Sequence, residues 1–160
     1  MGDNYGPPPK RGAEHERLAV WVGKWHAEGE SYGGPDQNTS SPKANATRWE
    51  SDETTVWHPG QFFVVQSEDA RIGADSLITH SVLGFDSNSG EYYAHAFENH
   101  GYYRRYRVRV EGRIWTFESD TERARVEMSV DGKRQTVKWE WRPKDDRWLP
   151  LCERVNERVD

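Results

Sequence analysis

A single cysteine, Cys152, among 160 residues leaves no partner for an internal disulfide. That suits a reducing compartment. No apolar run approaches the roughly 20 residues of a helical membrane span, so no membrane insertion is expected. Met1 to Gly12 is polar, carries Pro7-Pro8-Pro9 and lacks the hydrophobic core of a signal peptide. It reads as a disordered tail over 1–12 ahead of one domain over 13–160, and the chain is expected in the cytoplasm. Basic excess is missing as well: 22 Lys and Arg stand against 27 Asp and Glu, for a net charge of −5. A general nucleic-acid binder is thereby disfavoured. The one basic stretch, Arg104, Arg105, Arg107 and Arg109, reads as a solvated strand face. There is no glycine-rich phosphate loop, no G-x-S-x-G elbow, and no H-x-H or H-E-x-x-H pair among His15, His26, His58, His80, His95 and His100. The expectation is no cofactor and no metal.

Rings are what the sequence does have. Eight Trp, seven Tyr and five Phe sit in a chain that is only 34% hydrophobic, so the core must be built from them. Trp and Tyr are rigid, with polar tips that seek partners when buried. Ala13 to Val22 predicts a short helix. Beyond it lie about ten short stretches of strand character, close together and separated by turn formers: 24–32, 46–58, 61–68, 76–85, 91–98, 102–110, 113–119, 122–130, 135–142 and 148–157. Asp131-Gly132 is the strongest hairpin signal. Gly33 to Asn45 is a long polar loop, a candidate lid. Many strands with short hairpins predict an all-β, antiparallel, up-and-down barrel.

Gly23-Lys24-Trp25, opening the first strand after a short helix, resembles the G-x-W opening of calycins, the lipocalin and fatty-acid-binding superfamily, in which the Trp plugs the closed end. Gly84-Phe85-Asp86, Tyr92, Glu98-Asn99-His100-Gly101, Trp115, Asp131-Gly132, Trp139-Glu140-Trp141 and Trp148 resemble a bacterial lipocalin-like family of unknown function. The resemblance runs from about Leu18 to Arg158 and implies a calycin-type barrel of about ten strands. The opening is also similar to nitrobindin-like haem barrels, whose proximal ligand is a late His. No His follows His100 here, so that resemblance implies no haem.

Turn chemistry sets the facing of the candidate site. A three-residue turn at 99–101, with Gly101 left-handed, pairs Glu98 with Tyr102, Ala96 with Arg104 and Ala94 with Tyr106. Arg105, Arg107 and Arg109 then face water, and Tyr106, Arg104, Tyr92, Ala94, Ala96 and Glu98 face inward. Pairing Phe85 with Tyr92 adds Thr79, Ser81 and Leu83 to the interior and puts His80 and His95 outside. A one-residue slip would turn both histidines inward as acid/base groups. Trp139 and Trp141, alternating with charged residues, and Trp49 complete a ring-lined pocket. The expected ligand-binding residues are Trp49, Ser81, Tyr92, Ala94, Tyr106, Trp139 and Trp141. The expected polar or catalytic groups are Glu98 with Arg104 at the mouth, or His80 with His95. Three functions remain open: a barrel binding a hydrophobic or aromatic small molecule, a biosynthetic cyclase or isomerase in such a barrel, and an interaction protein that homodimerises through Tyr93, Phe97 and Tyr103.

Overall fold

The computed structural model describes residues 6–143 and 147–160, so Met1–Tyr5 of the expected tail lie outside the described residues. A four-residue helix α1 (Ala13–Glu16) runs into a 3-10 turn (Arg17–Trp21). Ten strands follow: β1 (Gly23–Ser31), β2 (Thr47–Trp57), β3 (Phe63–Ile72), β4 (Asp75–Asp86), β5 (Glu91–Glu98), β6 (Tyr103–Glu111), β7 (Ile114–Glu118), β8 (Glu122–Met128), β9 (Arg134–Trp141) and β10 (Leu149–Arg158). Each strand pairs antiparallel with its sequence neighbours, and β1 pairs with β10, giving a closed barrel. Closure leaves no strand edge free. Among the described residues no helix is long and apolar enough to cross a membrane.

Alternation fixes the inward face of β6: Tyr106 and Val108 are buried, and Arg105, Arg107 and Arg109 are exposed. The turn before it sets the register. Gly101 adopts φ +94°, its N–H donates to Glu98 O at 3.0 Å, and Glu98 N–H donates to Tyr102 O at 3.1 Å. Ala94 therefore lies opposite Tyr106, and Ala96 opposite Arg104. Phe85 pairs with Tyr92 and His80 with Phe97, so the slipped register does not occur. The β3–β4 hairpin is longer than its sequence suggests. Asp69 and Arg71 look like loop residues but occupy the solvent side of a strand that runs on to Ile72.

The floor of the barrel is its solid part. Trp25 is 1% exposed, donates its indole N–H to Trp21 O at 3.1 Å, and lies 4.4 Å beneath the Arg158 guanidinium. Trp21 meets Trp115 edge-on at 5.5 Å. The Tyr92 hydroxyl donates to the Glu14 carbonyl at 2.6 Å, tying α1 across this end. Leu18, Val108 and Met128 pack into the same layer. Strand directions put the connections at 32–46, 73–74, 99–102 and 119–121, with residues 142–143 and 147–148, at the opposite end, which forms the mouth.

Candidate functional site

Between plug and mouth lies a cavity of about 350 Å³. One wall is made of rings: Tyr106, Phe117, Trp139 and Trp141, and Trp49 enters from β2 beside the polar side. Tyr106 and Trp139 pack at 5.2 Å, and Phe117 and Trp139 at 6.1 Å. Ser81, Ala94 and Ala96 line it too, and their small side chains leave the volume open. Of the residues expected from sequence, Trp49, Ser81, Ala94, Tyr106, Trp139, Trp141, Glu98 and Arg104 all line this one cavity.

Three expectations need correction. Tyr92 faces inward but too low: it belongs to the floor core against Phe85 and Trp115 and does not line the cavity. His80 and His95 point outward, as the unslipped register placed them, so the acid/base role that a slip would have given them is lost. His80 Nδ1 lies 3.2 Å from Ser67 Oγ, and His95 packs at 5.1 Å from Tyr93 on the outer surface, where burial and then Arg105 lower its pKa. None of the six histidines lines the cavity. Finally, Glu98 and Arg104 do not pair with each other. The Glu98 carboxylate accepts from His100 N at 2.8 Å and Tyr102 N at 2.9 Å. Burial works against its charged form, but these backbone donors and His100 hold its pKa below the usual value. Arg104 Nε lies instead 3.2 Å from Glu122 Oε1. Glu122 Oε2 accepts the Tyr106 hydroxyl at 2.5 Å, and burial and that carboxylate raise the Tyr106 pKa.

The opposite wall is polar and was not anticipated. Glu53, Thr55, Gln66, Glu68, Arg154 and Asn156 all line the cavity. Arg154 Nη1 lies 3.2 Å from Glu68 Oε2, with side chains 11% and 8% exposed, and its guanidinium stacks 4.5 Å from the Trp49 ring. Ser51 Oγ lies within reach of both the Trp49 indole (3.0 Å) and Glu68 Oε2 (3.4 Å). Burial opposes the Arg154 charge, but Glu68, Cys152 and Glu53 raise its pKa overall. Glu53, beside Gln66 Nε2 at 2.8 Å, is the second carboxyl in a cluster holding one cation. Burial, then Glu68, pushes its pKa up to about 8. A neutral Glu53 leaves the cluster with one positive and one negative charge, the arrangement a low-dielectric interior favours. Gly29, paired with Arg154 on one side and Trp49 on the other, makes room for this wall. A Cβ there would lie 2.0 Å from Glu153 O and 2.7 Å from Arg154 Cβ.

A pH dependence follows. The folded pKa of Glu53 is above its unfolded value, so its protonation favours the folded state below the unfolded pKa. That contribution is lost as pH rises toward about 8. Glu53→Gln mimics the protonated form at every pH. Its melting temperature relative to the parent chain should rise steadily between pH 5 and pH 8, as followed by circular dichroism. A gap that does not change with pH would mean that Glu53 is ionised in the fold.

At the mouth, the 33–45 loop is pinned. Gln37 donates to Pro150 O at 2.7 Å and accepts the Trp141 indole N–H at 2.7 Å, and Lys43 pairs with Glu153 at 2.7 Å. Among the described residues, one group has atoms close enough to hold a metal ion: His26, Glu28 and Glu50 on the outer face of β1 and β2. There Asp52 and Arg48 already engage them.

Fold and cavity together define a closed, ten-stranded antiparallel barrel with a lined interior. The chain belongs to the family described as protein of unknown function (DUF1579), whose model matches residues 10–148. Two solved structures are similar in fold. Rv2717c from M. tuberculosis matches with TM-score 0.65 and 12% identity, over 94% of this chain and 100% of that one. The S-type phycobiliprotein lyase CPES from Guillardia theta matches with TM-score 0.58 and 11% identity, over 94% of each chain. No curated protein matches the sequence.

Proposed function

We propose that this protein is a binding barrel that holds a hydrophobic or aromatic small molecule in its interior. The carrying observation is the cavity itself: about 350 Å³, walled by Trp49, Tyr106, Phe117 and Trp139 and kept open by Ala94 and Ala96. Apolar pockets with a few placed polar groups are the usual form of a ligand site. Stacking supplies most of the affinity. Arg104 at the rim, half-buried beside Glu122, supplies orientation. Native mass spectrometry of the protein purified without denaturation tests the reading: a stoichiometric small-molecule adduct is expected, and apo mass alone under titration with ring compounds opposes it. Arg104→Met keeps most of the volume and removes the charge. It should weaken binding by roughly tenfold, about 1.4 kcal/mol, while leaving the melting temperature within a few degrees, because a partly solvated pair contributes little to stability.

A second reading, a cyclase or isomerase, is favoured by one observation: a buried carboxyl, Glu53, lines the ring-walled chamber, where burial and then Glu68 raise its pKa. Such a group can donate a proton to a substrate folded by the walls, and the resulting carboxylate can take one back. The Glu98 and Arg104 pair weighed as the acid/base couple is less suited, since Glu98 is occupied by its own turn. The outer stack of Phe97 and Tyr103, at 4.9 Å with 51% and 45% exposure, is the surface that a homodimer would use. The buried, unpaired Cys152 fits the cytoplasm.

A further inference from the structure

At the floor of the cavity two buried amides meet. Gln135 lies near the start of β9 and Asn156 near the end of β10, and they are direct register partners. They are 1% and 2% exposed, and both line the cavity. Asn156 Nδ2 donates to Gln135 Oε1 at 2.8 Å. That bond leaves Gln135 Nε2 and Asn156 Oδ1 without a partner. Exchanging nitrogen and oxygen on both side chains reverses the bond and leaves the same remainder, one N–H donor and one carbonyl acceptor. The pair therefore holds one of each, whichever way its amides are assigned, and because both free atoms are closed off in the empty barrel a ligand reaches them by a turn of the amide side chains. Trp21 Nε1, a donor only, is also buried and unpartnered, and Trp21 lines the same cavity.

Buried polar groups are seldom left unsatisfied, and a site built to hydrogen-bond a ligand rejects analogues that lack the matching groups. We infer that the floor recognises a neutral polar edge in which an acceptor and an N–H or O–H donor sit on neighbouring atoms, as in a lactam, a cis-amide or a protonated carboxylic acid. The ligand's donor meets the free carbonyl of the amide pair, and its acceptor meets the free amide N–H. An ionised carboxylate or a phosphate monoester would turn acceptors on the free carbonyl, and a hydrocarbon would leave both groups unpaired. The inference rests on the ligand-binding reading above and adds the chemistry of the ligand's buried end.

Four probes of similar size separate the terms: 2-quinolone, with adjacent acceptor and donor; 1-methyl-2-quinolone and 2-methoxyquinoline, each without the donor; and naphthalene, with neither group. Binding to the full chain is measured by isothermal titration calorimetry. The expected result is that 2-quinolone binds at least tenfold tighter than the other three. In Gln135→Met/Asn156→Leu, where both amides become apolar, all four should bind alike. Removing both partners of a buried pair together is far milder than removing one, so this variant should fold, and circular dichroism verifies it. Equal affinities for all four probes in the parent chain would overturn the inference and leave the binding reading intact. Preference for 2-quinolone that persists in the double variant would also overturn the assignment to these residues. Failure of every probe, naphthalene included, would remove the binding reading and the inference with it.

Discussion

Arg154→Met should lower the stability of the chain by about 3 kcal/mol, or roughly 10 °C in melting temperature for a domain of this size. The reason is the company the guanidinium keeps. It lies 3.2 Å from Glu68 Oε2 inside the barrel, with Glu53 in the same wall and Trp49 under its plane. Removing the cation leaves a buried carboxylate without compensation, which costs far more than losing a surface pair. Glu68→Gln added to Arg154→Met removes the orphaned charge and should recover most of the loss. Thermal denaturation at pH 7 reads both effects. A single variant as stable as the parent would show that water, not Arg154, neutralises the wall.

Ala94→Phe should lower affinity for a ring ligand at least a hundredfold while leaving the fold as stable or more so. Ala94 is 5% exposed, lies opposite Tyr106 and lines the cavity. In a packed core an added ring would overpack and destabilise. Here it enters open volume, so the ring gains buried apolar contact while taking the ligand's place. Calorimetric titration of naphthalene and a melting curve, run on parent and variant, separate the two effects. Lost stability with binding unchanged would mean that the ligand site is elsewhere.

Sequence alone revealed one half of this site and hid the other for a physical reason. Three alternate arginines on β6 force Tyr106 inward, and the left-handed Gly101 fixes the register of Ala94 and Ala96. Trp139 and Trp141 alternate with Lys138 and Glu140 on β9, so the ring wall was legible. The polar wall was not, because the rule that polar residues face water assumes a solid core. A lumen is a second polar-tolerant surface, and Ser51, Glu53 and Thr55 face it. One signal was present: the other face of β2 carries Arg48, Glu50 and Asp52, more charged still, so relative polarity already pointed Glu53 inward. On β10, Cys152, Arg154 and Asn156 alternate with Glu153, Val155 and Glu157, and neither face is apolar enough to decide. Tyr92 illustrates a different gap. Alternation says which way a side chain points but not its height in the barrel, and the contact with α1 that makes Tyr92 part of the plug is set by tertiary packing. The partner of Arg104 was missed likewise. Glu122 begins β8, two strands away around the barrel, and reaches Arg104 only once the sheet is closed and curved.

The central claim is that the working surface of this protein is inside the barrel, and locating one bound ring compound tests it most directly. A second, outer groove runs past Phe63, Val82, Tyr93, His95 and Phe97, so the choice is between two defined places. A crystal structure of the chain grown with 1-naphthol should show the ligand stacked among Trp49, Tyr106 and Trp139. Density confined to the outer groove, with the interior unchanged, would contradict the account.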